Sequence, residues 1–145
     1  MRSQKKTRQE KLLKLIAQNP LATDEQLADR LSVSVSTIRL DRAVLGLPEL
    51  RERMKSMAQK ATSRLRSLKQ EEIVGDLLEL EPNRWSLSIL ATRRDMAFRD
   101  TNMVCDHYIY AQASSLAIAV VEADLVLVES MRGKYKGHAQ VGDSL

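Results

Sequence analysis

The sequence predicts an α+β protein, with a basic helical N-terminal half and an acidic C-terminal half in which strands surround one helix. Residues 1–69 contain 16 Lys/Arg and 7 Asp/Glu, a net charge of +9, whereas residues 70–145 contain 7 Lys/Arg and 12 Asp/Glu, a net charge of −5. Apolar residues recur at helical spacing in the first half and mostly follow a strand pattern in the second. A basic half is typical of a protein that binds a polyanion, although a solvated surface of uneven charge is the alternative.

Composition excludes several classes of protein. The single cysteine, Cys105, excludes a disulfide scaffold and a cysteine-based zinc site, and we expect no metal and no cofactor. The longest uncharged apolar stretch, 109–121, is shorter than the ~20 residues of a membrane-spanning helix. A charged N-terminus argues against a signal peptide. We therefore expect a cytoplasmic protein that does not contact a membrane.

The basic half contains signals for three helices. Thr23 and Gln26 have the spacing of a capping box, and Ser34 is a suitable N-cap for a further helix. Two short helices joined by a tight turn, with a small residue at their crossing, predict a helix-turn-helix over residues 1–47. The predicted helices are 10–19, 24–31 and 35–45.

Two positions depart from the usual helix-turn-helix pattern. Ser32 stands in the turn where glycine is frequent, and serine tolerates that turn with little strain. Asp41 stands at a position that is usually apolar. We expect Asp41 to be solvated or to pair with Arg39 or Arg42.

The third helix has the chemistry of a DNA-recognition helix. Its N-terminal end carries small polar and basic side chains, which suit phosphates and base edges, and Arg39 is the candidate for a guanine edge. Basic residues before the first helix are interpreted as a flexible arm on DNA or as a solvated tail. No aromatic residue precedes Trp85, so duplex DNA is expected rather than a stacked single strand. The candidate DNA-binding residues are Lys5, Lys6, Arg8, Ser34, Ser36, Thr37, Arg39 and Arg42.

Residues 48–69 predict an amphipathic linker helix that begins at Pro48. Glu49 and Arg53 have the spacing of an i,i+4 ion pair. The apolar stripe must be buried either against a second copy of the chain or against the chain's own downstream domain. The stripe consists of Leu50, Met54, Met57, Ala61, Leu65 and Leu68.

The acidic half, 70–145, predicts strands around a slender helix. The turn signal Pro82–Asn83 separates the first two strands. Apolar residues within 106–121 repeat at helical spacing, which predicts a helix covered by an antiparallel sheet. The predicted strands are 75–81, 84–92, 125–129 and 131–138, and the repeating apolar residues are Ile109, Ala113, Leu116, Ala117 and Val120.

Four segments carry a resemblance to a known family: Thr23–Ala28, Val33–Arg42, Pro48–Arg53 and His107–Ala117. Together they resemble the FapR family of bacterial regulators of fatty acid and phospholipid synthesis. The resemblance implies a repressor with a DeoR-type helix-turn-helix, a linker helix and a homodimeric hot-dog effector domain. It further implies binding to a palindromic DNA operator and release from DNA by malonyl-CoA.

The resemblance also shows departures at the effector site. Cys105 and Asp106 stand where the family has an Arg–Gly pair whose arginine binds the malonyl carboxylate, and Ser114 stands where the family has asparagine. Phe98 matches a pocket phenylalanine of the family, with plain core packing as the alternative. Loss of the cation and the added carboxylate predict that malonyl-CoA control is weakened, altered in ligand or absent. The candidate effector-binding residues are Phe98, Cys105, Asp106 and Ser114.

In the recognition helix, Ser36 stands where the family has glutamine. Members of the family also extend further at the C-terminus. We therefore expect an incomplete hot-dog domain, either a fragment or a sheet edge covered by a partner subunit. Two other functions remain as alternatives: a ligand-insensitive DNA-binding dimer, and an acyl-CoA thioesterase with Asp106 and His107 as acid and base. The residues favour a regulator without catalytic activity.

Overall fold

The computed structural model describes the backbone of residues 2–145 and the side chains from Gln4 onward. The chain forms two compact units, unit 1 (1–56) and unit 2 (57–145), and the division falls within a helix. Helices and an antiparallel sheet are both present, so the predicted α+β class is confirmed. The elements are α1 (Arg2–Gln18), α2 (Asp24–Leu31), α3 (Val35–Leu45), α4 (Leu50–Thr62), β1 (Asp76–Glu81), β2 (Trp85–Ile89) and α5 (Asp106–Val120), with short 3-10 turns at Gln70–Glu72 and Arg94–Met96.

Unit 1 is built on one apolar core. Leu12 of α1, Leu27 of α2 and Ile38 of α3 are each fully buried, so every helix contributes one central side chain. Ala28 lies where α2 approaches its neighbours, and its small side chain is also buried. The remaining buried members are Ile16 and Ala22. The predicted trihelical arrangement is therefore present, with α2 and α3 at their predicted bounds.

The ends of α2 and α3 are fixed by the residues that the sequence predicts. Thr23 Oγ1 accepts the Gln26 N–H, and the Gln26 side chain accepts the Thr23 N–H, so the predicted capping box is confirmed. Ser34 caps α3 by accepting the Thr37 N–H. Ser32 lies in the turn between the helices with φ of 52°, a left-handed conformation that glycine adopts more easily.

Helix α1 begins earlier than predicted. It starts at Arg2 rather than near Glu10, so Lys5, Lys6 and Arg8 belong to the helix, and the prediction of a flexible arm is wrong. The physical reason is intrinsic propensity, because the added turns consist largely of Gln, Lys and Arg, which are good helix formers.

Helix α4 ends at Thr62, earlier than the predicted end near residue 69. Thr and Ser are weaker helix formers, and the Ser63 hydroxyl donates to the Lys60 carbonyl, which offers the backbone an alternative to further helix. Leu65 and Leu68 continue the apolar stripe beyond the helix and pack in unit 2. The predicted Glu49–Arg53 pair is replaced by other contacts of Arg53, described below.

Unit 2 contains an antiparallel hairpin, β1 with β2. The predicted turn is confirmed, and Asn83 adopts a left-handed φ of 58° within it. β2 ends at Ile89, short of the predicted residue 92. The chain beyond it pairs with the C-terminal segment, where Leu90 and Leu145 exchange backbone hydrogen bonds of 2.8 and 2.9 Å.

Helix α5 packs through a face that overlaps the predicted one only in part, because Ile109, Leu116 and Val120 of the predicted residues pack against the apolar clusters of unit 2. Its buried residues are Gln112, Ser115 and Ala119, whereas Ala113 and Ala117 are exposed. The buried polar groups are satisfied by hydrogen bonds. Gln112 donates to the Ser88 hydroxyl (2.9 Å), and the Ser115 hydroxyl accepts the Val74 N–H (3.1 Å). Apolar periodicity alone could not identify this face, because two of its three buried positions are polar.

The predicted strands 125–129 and 131–138 are absent, and the backbone there forms neither helix nor strand. Leu125 and Leu127 are 79% and 83% exposed. A strand needs a neighbour for its backbone hydrogen bonds, and no other segment of residues 2–145 pairs with this one. A long helix lying on an antiparallel hairpin is nevertheless consistent with an incomplete hot-dog fold.

Candidate nucleic-acid interface

Three hydroxyl side chains meet at the first turn of α3. The Ser34 hydroxyl lies 2.9 Å from the Ser36 hydroxyl and 2.9 Å from the Thr37 hydroxyl. Ser34 and Ser36 are exposed, and Thr37 is partly exposed. Helix N-termini favour anions, because unpaired N–H groups and the helix dipole both point toward the ligand. The structure therefore brings these three predicted residues together in a position suited to a phosphate or a base edge.

One face of α3 remains open to solvent. Residues advance by about 100° in an α-helix, so Ser36, Leu40 and Ala43 project from one side, opposite the buried Ile38. Leu40 is 69% exposed and Val44 is 66% exposed. The sequence alone indicates no DNA contact for Leu40, because an apolar residue in a helix usually indicates core packing. The exposure of Leu40 in the folded unit indicates that it has a role outside the core.

Arg39 lies at the edge of this open face. Its side chain is 65% exposed, and its Nε lies 3.5 Å from an Asp24 carboxylate oxygen. A guanidinium in this position remains accessible to a phosphate or to a guanine edge. The structure therefore keeps Arg39 as a candidate DNA contact.

Arg42, also predicted to contact DNA, is buried instead. Its Nε and one terminal nitrogen donate to the two oxygens of Asp24, both at 2.8 Å, and the other terminal nitrogen donates to the Leu47 carbonyl at 3.3 Å. The Arg42 guanidinium is the main cause that holds the pKa of the Asp24 carboxyl below its usual value. A two-point ion pair fixes both distance and angle, so Arg42 ties α3 to α2 and is not available to DNA.

Asp41 finds its partners on α1 rather than on α3. The residue is only 2% exposed, and its oxygens accept from Arg8 Nε at 2.6 Å and from the Gln9 amide at 2.9 Å. The expectation of solvation, or of a pair with Arg39 or Arg42, is therefore wrong. The Arg8 hydrogen bond is the main cause that lowers the pKa of Asp41. Arg8 thus holds α1 against α3.

Lys5 and Lys6 remain exposed on the first turns of α1. Although they do not form an arm, their side chains are accessible to a phosphate. DNA contact by these two residues stays a prediction.

Arg53 has a structural role that the sequence does not reveal. It is 7% exposed, and it donates to the carbonyl oxygens of Pro20 (2.8 Å), Ala22 (2.7 Å) and Pro48 (2.7 Å). Burial lowers its pKa from the ordinary arginine value. These bonds fix the loop before the Thr23 cap to the start of α4. An arginine within a charged run predicts solvent exposure, so no sequence signal distinguishes it.

The candidate effector residues are only partly collected. Ala97 pairs with Val104, and the Cys105 N–H donates to the Met96 carbonyl at 2.8 Å, which brings the Phe98 loop to the N-terminal end of α5. Phe98 is 51% exposed. Cys105 is half-buried at the N-cap, and Asp106 is exposed in the first turn. Ser114 lies about two turns further along α5, roughly 12 Å along the axis.

Comparisons with known proteins agree with this geometry. Residues 8–55 match the DeoR-like helix-turn-helix domain. Transcription factor FapR of Geobacillus thermodenitrificans is 40% identical over 144 residues, which cover 99% of this chain and 73% of that protein. Transcription factor FapR of a Thermoanaerobacter species is 43% identical over 145 residues, all of this chain and 72% of that protein. This chain belongs to the FapR family.

A solved structure shares the fold of this FapR-family chain. It is the crystal structure of Cj0977, a sigma28-regulated virulence protein from Campylobacter jejuni. The TM-score is 0.52 at 21% identity, and the match covers 61% of this chain and 64% of that one. At this identity the likeness concerns the fold alone.

The FapR relatives and the DeoR-like helix-turn-helix make the chain a DNA-binding transcriptional repressor. Its relatives are named as transcription factors, which supports a regulator in place of the thioesterase alternative. Within residues 2–145, no helix combines the length and the apolar character needed to cross a bilayer.

Proposed function

We propose that this FapR-family chain is a cytoplasmic repressor of fatty acid and phospholipid biosynthesis genes. In this proposal it binds a palindromic operator as a homodimer, and malonyl-CoA or a related acyl-CoA controls its release. The observation that carries the proposal is the first turn of α3, where Ser34, Ser36 and Thr37 are presented with Arg39 beside them.

Buried ionic contacts support the DNA-binding step. Arg42 with Asp24, and Arg8 with Asp41, hold α3 against α2 and α1. A recognition helix that is already oriented loses less conformational freedom on binding than a mobile one. The net charge of +9 in residues 1–69 adds attraction for the DNA backbone.

Exposed apolar side chains in unit 2 support the homodimer. Val121, Leu125 and Leu127 are at least 39% exposed, and Tyr110 on α5 is 38% exposed. Contiguous apolar surface marks an interaction site in soluble proteins, and Val121, Leu125 and Leu127 lie close together along the chain. In a dimer, two recognition helices about 34 Å apart would read two half-sites of a palindrome. Sedimentation equilibrium should give twice the chain mass, and a monomer at micromolar concentration would contradict this part of the proposal.

The DNA-binding experiment uses duplexes selected by the full chain from a randomised pool. Affinity should fall steeply as salt rises, because Lys and Arg contacts release counterions. Arg39→Ala should weaken binding to the selected duplex roughly tenfold or more, and weaken binding to random duplex less. Arg84→Ala is the matched control, since Arg84 is an exposed arginine of the unit 2 hairpin. Equal losses on both duplexes would make Arg39 a phosphate contact.

The effector end of α5 supports an altered acyl-CoA response. The family resemblance implies an arginine for the malonyl carboxylate, whereas this chain has Cys105 followed by Asp106. Loss of the cation removes a charge-assisted contact with the malonyl carboxylate, and the Asp106 carboxylate adds repulsion. We therefore expect malonyl-CoA to bind weakly and acyl-CoAs without a terminal carboxylate to bind better.

Calorimetry with malonyl-CoA and acetyl-CoA tests this expectation, followed by DNA-release assays with the same ligands. The double variant Cys105→Arg/Asp106→Gly installs the family pair and should recover malonyl-CoA binding. Micromolar or tighter malonyl-CoA binding by the unmodified chain would contradict the expectation. DNA release by none of the acyl-CoAs would favour the second candidate, a ligand-insensitive DNA-binding dimer.

A further inference from the structure

Two neighbouring apolar side chains occupy the open face of α3 and are not used by the fold. Leu40 is 69% exposed and Val44 is 66% exposed, one helical turn apart. Single exposed apolar residues are ordinary on protein surfaces. Here, however, Leu40 lies between Ser36 and Ala43 in the middle of the face that the recognition helix presents.

The rest of unit 1 holds this face outward. On the opposite side of α3, Ile38 is fully buried, Asp41 is bonded to α1, and Arg42 is bonded to α2. Rotation of α3 about its axis would break both ionic contacts and expose Ile38. The native packing of unit 1 therefore keeps Leu40 in solvent beside Ser36 and Arg39 when no ligand is bound.

We propose that Leu40 is a thymine-reading residue of the DNA interface, with Val44 extending the same apolar contact. The inference rests on the proposed DNA binding and specifies its base chemistry. A leucine side chain can neither donate nor accept a hydrogen bond. The apolar group that base edges present in the major groove is the C5 methyl of thymine. Leu40 therefore favours a thymine methyl at the position it faces.

The surroundings favour DNA over a protein partner as the occupant. The apolar patch consists of two side chains, with Ser36 and Arg39 directly beside it. A stable protein interface buries about 800 Å² per partner, far more than two side chains supply. The patch is also continuous with the hydroxyl groups at the α3 N-terminus, which suit nucleic acid.

Uracil substitution tests the inference, because deoxyuridine differs from thymidine only by the C5 methyl. The probe is the tightest duplex that the full chain selects from a randomised pool, remade with a single dT→dU change at each thymine in turn. At one or more thymines in each half-site, the change should weaken binding about fourfold, the value of one buried methyl-sized group.

Variants of Leu40 test whether this side chain contacts the thymine methyl. Leu40→Ser should bind the thymine and uracil duplexes equally, whereas Leu40→Met should keep the preference for thymine. Leu13→Ser is the matched control, because Leu13 is an exposed leucine of α1 and its change should leave affinity and preference intact. Circular dichroism checks that each variant is folded.

Three results would overturn the inference. The first is a set of uracil duplexes that all bind like the parent, and the second is a thymine preference that survives in Leu40→Ser. The third is a lower sedimenting mass of Leu40→Ser without DNA, which would make the patch an interface between copies of the chain. If the unmodified chain selects no duplex at all, the DNA-binding proposal itself fails and this inference with it.

Discussion

Units 1 and 2 differ in how their apolar and polar groups are used. Unit 1 has a single core to which three helices each contribute a fully buried side chain. Unit 2 has two smaller apolar clusters around a two-stranded sheet, and it leaves Leu125 and Leu127 almost wholly exposed. A two-stranded hairpin needs packing against other elements to be stable. Unit 1 therefore completes a core of its own, whereas unit 2 leaves more apolar side chains uncovered by its own core.

The buried polar groups sharpen this contrast. Unit 1 buries charged residues, Asp41, Arg42 and Arg53, in directional contacts between helices. Unit 2 buries neutral ones, such as Gln112 and Ser88. Apolar contacts allow helices to slide or rotate, whereas hydrogen-bonded charges define an angle. The buried charged residues thus lie in the unit that contains the candidate DNA-binding helix α3. Their contacts fix the orientation of α3 as well as stabilise unit 1.

The largest expected effect comes from a cavity in one core. Leu12→Ala should destabilise unit 1 by about 2–5 kcal/mol, because the fully buried side chain leaves a void. Circular dichroism during a urea titration reports chiefly unit 1, which holds most of the helical residues, and the fluorescence of Trp85, the single tryptophan, reports unit 2. Leu12→Ala should lower mainly the urea midpoint of the circular dichroism signal. The corresponding change in unit 2, Leu78→Ala in β1, should lower mainly the urea midpoint of the Trp85 fluorescence.

Leu13→Ala is the matched control for the cavity, since Leu13 is exposed on the same helix. Its change should cost less than about 0.5 kcal/mol. If Leu12→Ala lowers both urea midpoints equally, the two units unfold together. They would then differ in structure but not in independent stability.

The second effect tests the buried ionic contacts. Arg53→Met keeps much of the side-chain volume but leaves the carbonyls of Pro20, Ala22 and Pro48 without their donor. We expect a loss of about 2–3 kcal/mol, the desolvation penalty of such groups. Arg51→Met, at an exposed position of α4, should change stability by less than about 0.5 kcal/mol. Similar urea midpoints for Arg53→Met and Arg51→Met would contradict the claim that the hydrogen bonds of Arg53 stabilise unit 1.

Sequence patterns predicted unit 1 better than unit 2 for a physical reason. Local signals such as the Thr23 capping box and the Ser34 cap fix where helices start, and these are confirmed. Long-range partners leave no local pattern, which is why the contact of Asp41 with Arg8 was missed. Strands depend on such partners throughout, so the alternating residues of 125–138 predicted strands that the fold does not form. Exposure is also decided by tertiary packing, and it alone singled out Leu40.

The third effect is a pH dependence located in unit 1. The pKa of Asp41 is held below its usual value chiefly by the Arg8 hydrogen bond, whereas an unfolded aspartate titrates near about 3.9. The unfolded chain therefore takes up protons first as pH falls. The stabilisation is full above about pH 5 and is lost as pH falls through the folded pKa. Asp41→Asn should cost about 1–2 kcal/mol at pH 7 and flatten the decline of stability in acid.

Urea midpoints by circular dichroism between pH 7 and pH 3 measure this dependence. Part of the decline should remain in Asp41→Asn, because the pKa of Asp24 is also lowered, chiefly by Arg42. Asp95→Asn is the control in unit 2, where the Arg93 pair is exposed and screened by solvent. An unchanged acid profile in Asp41→Asn would show that the Arg8 contact does not stabilise unit 1.

The smallest effect compares one backbone conformation in both units. Ser32 and Asn83 have φ values of 52° and 58°, a region where glycine is relaxed. Ser32→Gly should stabilise unit 1 by about 0.5–1 kcal/mol, since relief of the left-handed strain exceeds the added chain entropy. Asn83→Gly should instead destabilise unit 2, because the Asn83 side chain accepts the Glu122 N–H at 3.0 Å and donates to the Glu122 carboxylate at 3.2 Å. We expect Ser32→Gly to raise the urea midpoint of the circular dichroism signal and Asn83→Gly to lower the midpoint of the Trp85 fluorescence. If Asn83→Gly instead raises its midpoint, backbone strain at Asn83 outweighs the side-chain contact with Glu122.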